Sequence, residues 1–187
     1  MTPESNDIDW GRLKAGDLKA LESIYRNHVR ALIQYGSKIT DDKDLVSDTI
    51  HDLFLELWKY RANLSDAISP KFYLFGALRN KLRRVLSSQS FVSIGEMQLA
   101  AGELDISSTE IELFRHEQDY YPGDTLQQLL QKLSHRQQEV INLRFYHNFP
   151  YDTIASIMDM NYQSVLNLLQ RALKTLRTKY NKLQPPL

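Results

Sequence analysis

Apolar residues recur along this chain with the three-and-four spacing of helices buried on one side, and nowhere with the alternation of a half-buried strand. Leu18, Leu21, Ile24, Tyr25, Val29, Leu32 and Ile33 form the first stripe, and Asp17, just behind Gly16, is placed to cap its first turn. A second helix is predicted over about 44–60, with Leu45, Ile50, Leu53, Phe54, Leu57 and Trp58 on its apolar side. Ser69 and Pro70 supply an N-cap and a proline at the first helical position, opening a helix through Phe72, Phe75, Leu78, Leu82 and Val85 to about residue 86. The pattern then fades until Gly123, with room for one short helix over about 109–117. It returns with Leu126, Leu129, Leu130 and Leu133, and Ser134 with Gln137 at capping-box spacing opens a helix to Tyr146. After a break at Asn148, Phe149 and Pro150, a short helix to Met158 and a longer one opening at Asn161 complete the pattern. The predicted class is all-α, with helical domains over 1–86 and 125–187 joined by a linker over 87–124.

Composition narrows the chemistry. The 187 residues include no cysteine, which excludes disulfides and thiol chemistry and fits a reducing cytoplasm. The opening MTPESNDIDW has neither the basic start nor the apolar run of a secretory signal, and no stretch approaches the roughly 18 apolar residues of a membrane span. The expectation is a cytoplasmic protein without direct membrane insertion.

Net charge is zero, but its distribution is strongly patterned. Residues 41–60 carry −4, 61–90 carry +5, 91–125 carry −7 and 161–187 carry +5, with no carboxylate in that last block. Two basic surfaces separated by an acidic connector point to polyanion contacts at two places.

The helix opening at Asn161 buries Val165, Leu168, Leu169, Ala172 and Leu176, which leaves Gln163, Ser164, Asn167, Arg171 and Lys174 on the other side. Amides and hydroxyls near a helix start can hydrogen-bond base edges in a major groove, while Arg and Lys reach phosphates. Asn161 is a natural N-cap, Ala155 lets two helices approach, and Asp159 stands where the chain must turn sharply. Together they read as a DNA-binding helix-turn-helix; the bland alternative is a polar-faced helix on an ordinary bundle.

In the N-terminal half, Asp48, His51, Asp52 and Glu56 lie close to one helix face, beside apolar Leu53 and Trp58. That cluster fits a docking surface, a solvated helix face, or a metal or hydrolase site. The last is disfavoured because His28, His116, His135 and His147 show no paired ligand spacing. The segment 70–84 interleaves Phe72, Tyr73 and Phe75 with Lys71, Arg79, Lys81, Arg83 and Arg84, a composition suited to melted DNA, whose phosphates attract cations and whose unstacked bases meet aromatic faces. Phe75 shares a face with Leu78 and Leu82 and is expected in the core; Tyr73 and Asn80 are the better DNA candidates.

These segments together resemble the extracytoplasmic-function group of sigma-70 factors, the promoter-recognition subunits of bacterial RNA polymerase. Residues 133–144 (LSHRQQEVINLR) look like the opening of that family's region 4, and 151–158 (YDTIASIM) with Ser164, Val165, Arg171, Ala172, Leu176 and Arg177 are similar to its promoter-reading helix-turn-helix. Residues 48–58 (DTIHDLFLELW) resemble region 2.2, and 70–84 (PKFYLFGALRNKLRR) resemble regions 2.3 and 2.4. The resemblance implies that Asp48, His51, Asp52, Leu53, Glu56 and Trp58 bind core RNA polymerase. It implies that Lys71, Tyr73, Arg79, Asn80, Lys81, Arg83 and Arg84 meet melted promoter DNA at the minus-10 element, with the loop 61–69 capturing a flipped base. It further implies that Asn161, Gln163, Ser164, Asn167, Arg171 and Lys174 read duplex DNA at the minus-35 element, and that an anti-sigma factor is a partner. No catalytic residue, cofactor, metal or small-molecule substrate is implied. The acidic linker is expected to mimic nucleic acid and restrain the basic modules. Departures from the family pattern are His51 where glutamine is usual, Leu166 where a basic residue is common, and Asp159 where glycine is common. A conventional helix-turn-helix regulator, binding duplex DNA without polymerase, is the rival reading.

Overall fold

A computed structural model describes residues 3–65, 69–89 and 125–181, and every regular element among them is helical. The N-terminal half contains α1 (Pro3–Lys14), α2 (Leu18–Gly36), α3 (Lys43–Lys59), a 3-10 turn at Arg61–Asn63, and α4 (Pro70–Gln89). The C-terminal half contains α5 (Thr125–Gln131), α6 (His135–Ile141), a π-helical turn at Asn142–Tyr146, α7 (Tyr151–Met158) and α8 (Tyr162–Asn181). The expected helix at 109–117 and most of the acidic linker lie outside the described residues, as do 66–68 of the 61–69 loop.

Local chemistry accounts for most of these boundaries. The Asp17 carboxylate accepts from the Lys19 N–H at 2.9 Å and Asp42 accepts from Leu45 N–H at 2.9 Å, so α2 and α3 each start on an acidic cap. Gly16 turns the chain between α1 and α2 with φ +89°, a conformation that disfavours other residues. α1 was not anticipated, because its first turns are polar. The signal lay in Trp10 and Leu13, one helical step apart and both buried. The Trp10 indole N–H donates to the Ser65 carbonyl at 3.1 Å and so ties α1 to the segment leading towards α4.

One feature departs from the sequence expectation. The helix predicted to reach Tyr146 widens into the π turn, where His147 N–H bonds five residues back to the Asn142 carbonyl. Leu143 stays in the core while Phe145 and Tyr146 face outward. More consequential is that the halves are in contact: α4 lies along α7, and one continuous apolar core runs from Trp10 in α1 to Ala172 in α8.

Candidate nucleic-acid interface

The C-terminal site is built on α7 and α8. Between them Asp159 adopts the left-handed conformation (φ 51°, ψ 57°), and the Met160 N–H closes back on the Ala155 carbonyl at 3.0 Å. The Asn161 side chain accepts from Ser164 N–H at 2.7 Å, fixing the first turn of α8. Val165, Leu169 and Ala172 are buried, whereas Asn161, Gln163, Asn167, Arg171 and Lys174 are exposed and Ser164 is half-buried. Gln163 Nε2 donates to Asn167 Oδ1 at 3.2 Å, so two candidate base-readers one turn apart hold each other in place. All six candidate minus-35 residues therefore belong to one accessible edge of the helix, and no carboxylate lies within it.

A side chain that sequence reasoning passed over completes this edge. Tyr162 is 51% exposed and stands edge-on to Tyr151, their ring centroids 6.0 Å apart. Arg144 lies 4.6 Å above the Tyr151 ring and donates to the Phe149 carbonyl at 3.1 Å. The alternation of polar and aromatic residues at 161–163 was the available signal.

The seven candidate minus-10 residues divide three ways on α4. Asn80, Arg83 and Arg84 are exposed. Tyr73 and Lys81 are half-buried within the N-terminal half: the Tyr73 ring tilts against Trp10 at 5.4 Å, and Lys81 Nζ pairs with Glu56 at 2.6 Å. Burial, reinforced by Glu56, pushes the Tyr73 phenol above its ordinary pKa. Lys71 and Arg79 face the C-terminal half instead, which corrects the expectation that they stand open to DNA in this arrangement. Lys71 Nζ donates to the His147 carbonyl at 2.8 Å and lies 4.9 Å from the Phe149 ring, and burial lowers its pKa. Arg79 is 2% exposed; its Nε bonds the Glu139 carboxylate and its Nη1 donates to the Ile157 carbonyl at 3.1 Å. The physical reason is spacing. Lys71, Phe75 and Arg79 are four residues apart, so they form one stripe, and that stripe is where α6, the π turn and α7 pack.

On α3, the candidate polymerase residues Asp48, Asp52 and Glu56 are exposed at four-residue spacing. His51 and Trp58 are half-buried, and the Arg61 guanidinium covers the Trp58 ring at 4.2 Å. Leu53 departs from expectation: at 2% exposure it belongs to the core and offers no docking surface. Among the described residues no group of three or more His, Cys, Asp or Glu side chains could hold a metal, and no helix is long and apolar enough to cross a membrane.

Residues 123–176 match the family model for sigma-70, region 4. No curated protein sequence matches the chain. Among solved structures, CnrH, determined in complex with the cytosolic domain of CnrY, has the same fold with a TM-score of 0.62 at 19% identity, over 96% of this chain and 99% of that one. The sigma factor RpoE, determined with the anti-sigma factor NepR from Bartonella quintana, gives a TM-score of 0.62 at 18% identity, over 90% of this chain and all of that one. At such identities the structural likeness is one of fold alone, and the family match is confined to residues 123–176. Residues 123–176 thus match sigma-70, region 4, within a helical fold that the chain shares with a solved sigma factor over 90% of its length.

Proposed function

We propose that the chain directs bacterial RNA polymerase to specific promoters and helps to open them, acting as a sigma factor of the extracytoplasmic-function group. The observation that carries this reading is the joint presence, in one fold, of an accessible carboxylate-free edge on α8 and an exposed acidic row on α3. α8 reads the minus-35 duplex, with Gln163, Ser164 and Asn167 on base edges and Arg171 and Lys174 on phosphates. Asp48, Asp52 and Glu56 meet core polymerase, with His51 and Trp58 beside them. Asn80, Arg83 and Arg84, with Tyr73 and Lys81, meet the melted minus-10 strand. Residues 1–86 form the polymerase and minus-10 half, 125–187 the minus-35 half, and 87–124 an acidic connector. The chain performs no chemistry of its own, works in the cytoplasm, and is held in check by an anti-sigma partner.

Capture of core polymerase and transcription from a promoter library test the reading together. Wild-type chain should bind core polymerase and start transcripts at a definable sequence class, and Asp52→Lys should lose both. Tight, specific duplex binding without polymerase, unaffected by Asp52→Lys, would establish the conventional regulator instead. Within α8, Arg171→Ala should weaken promoter binding for every sequence and flatten its salt dependence. Gln163→Ala should change preference at particular bases by about 1–3 kcal/mol.

A further inference from the structure

Glu139 is a carboxylate 4% exposed at the contact between the two halves. Its Oε1 accepts from the Tyr35 hydroxyl of α2 at 2.8 Å and from Arg79 Nε of α4. Both donors come from the N-terminal half, whereas Glu139 belongs to α6. Around this pair the contact is aromatic: Phe75 meets Tyr35 at 4.9 Å, His147 at 4.5 Å and Phe149 at 5.3 Å between ring centroids. Arg79 reaches on to the Ile157 carbonyl and Lys71 to the His147 carbonyl, so two cations of α4 take their partners from the C-terminal half.

We infer that Glu139 latches the free chain in a closed, self-inhibited state, standing where a nucleic-acid phosphate would otherwise meet Arg79. The inference rests on the promoter-reading function proposed above, and a length comparison shows that the halves must part for that function. A folded chain of this size is about 40 Å across. Elements at minus-10 and minus-35 are roughly 25 base pairs apart, about 85 Å of duplex at 3.4 Å per base pair. While α4 and α7 touch, the chain cannot engage both. The stretch between Gln89 and Thr125 can span more than about 100 Å when extended, so its length permits the halves to part. A buried ion pair is a poor source of net stability but a good device for fixing one arrangement, because removing a single partner leaves the other charge buried and uncompensated.

The chain has no cysteine, so a dye pair can be attached at Asn27→Cys on α2 and Gln170→Cys on α8, both exposed sites, to read the separation of the halves by energy transfer. Glu139→Gln should lower transfer and increase the open fraction about tenfold or more. It should raise polymerase-free binding to a random-sequence single-stranded DNA pool by a similar factor. Tyr35→Phe, which leaves the C-terminal half untouched, should open the chain partially. The double variant Arg79→Met with Glu139→Met, apolar on both sides, should restore high transfer. Wild-type transfer in both Glu139→Gln and Tyr35→Phe, with helical content intact, overturns the latch. Lower transfer without stronger DNA binding overturns the self-inhibition. If no variant binds polymerase or DNA, the sigma reading fails while the transfer measurement still decides whether Glu139 holds the halves together.

Discussion

At Gly36 the missing side chain decides how closely α2 and α3 run. A β-carbon there would stand 2.5 Å from Val46 Cγ1, well inside contact distance. Gly36→Ala should therefore cost about 1–3 kcal/mol in urea unfolding, with a smaller additional cost in a Val46→Ala background. An equal cost in both backgrounds would show that the Val46 contact is not the cause. Leu53 and Arg79 carry the residue-scale lesson. Helical spacing put Leu53 on the same helix as Asp52 and Glu56, yet spacing alone does not tell a docking anchor from a core side chain, and Leu53 is core. Arg79 belonged to a run of cations whose sum charge predicted DNA, but its partner is a carboxylate 60 positions away. The sequence-level hint was Glu139 itself, a lone carboxylate next to apolar Val140 and one helical turn before Leu143.

Among the elements, α8 was the most legible. Its start at Asn161, its buried stripe and its exposed polar edge follow from local rules, because capping and 3.6-residue periodicity act within one or two turns. Asn161→Ala removes the acceptor for the Ser164 N–H and should cost about 1 kcal/mol of stability. It should also weaken minus-35 binding, measured by fluorescence anisotropy on a duplex that wild-type chain recognises. At the preceding turn, Asp159→Gly should be neutral or stabilising, whereas Asp159→Val should lower the thermal midpoint, since a β-branched residue tolerates the left-handed conformation poorly. If Val is accepted as readily as Gly, the turn geometry is not limiting. The elements that escaped sequence reasoning failed for opposite reasons. α1 has a polar, acidic start that hides its two buried anchors. The π turn satisfies the helical pattern and differs only in where its carbonyls bond, which no apolar spacing records.

Across the whole molecule, the contact between halves carries an acid sensitivity. His28 on α2 and His147 after the π turn are both buried, and burial first, then the Lys71 ammonium, hold each imidazole at a pKa of about 4. In the unfolded chain an imidazole titrates near 6.5. Below that value the unfolded chain binds protons that the folded chain does not. The contribution of these histidines to stability is therefore complete above about pH 7 and falls as pH drops from about 6.5 towards 4. The loss is on the order of 2 kcal/mol per histidine after allowance for solvent relaxation. Urea midpoints at pH 7.5 and pH 5 should differ accordingly, and His147→Leu should flatten the difference, since it removes a titrating imidazole whose Nε2 has no hydrogen-bond partner among the described residues. The paired dyes should report opening in the same window, because His147 packs on Phe75 across the contact. A pH-independent midpoint would place both imidazoles in contact with solvent.

By itself the amino-acid sequence determined the helical class, the positions of α2, α3, α4, α7 and α8, the acidic row on α3, and the composition of the α8 edge. These depend on apolar periodicity, caps and charge counts, which are properties of neighbouring residues. Only the tertiary structure decided which of the α4 cations are free. Helical spacing aligned Lys71 and Arg79 on one stripe, but packing the halves together supplied Glu139 and two backbone carbonyls as their partners. Charge partners distant in sequence leave no periodic trace, so a basic helix that reads as open to DNA along the chain is, in the folded molecule, half turned inward.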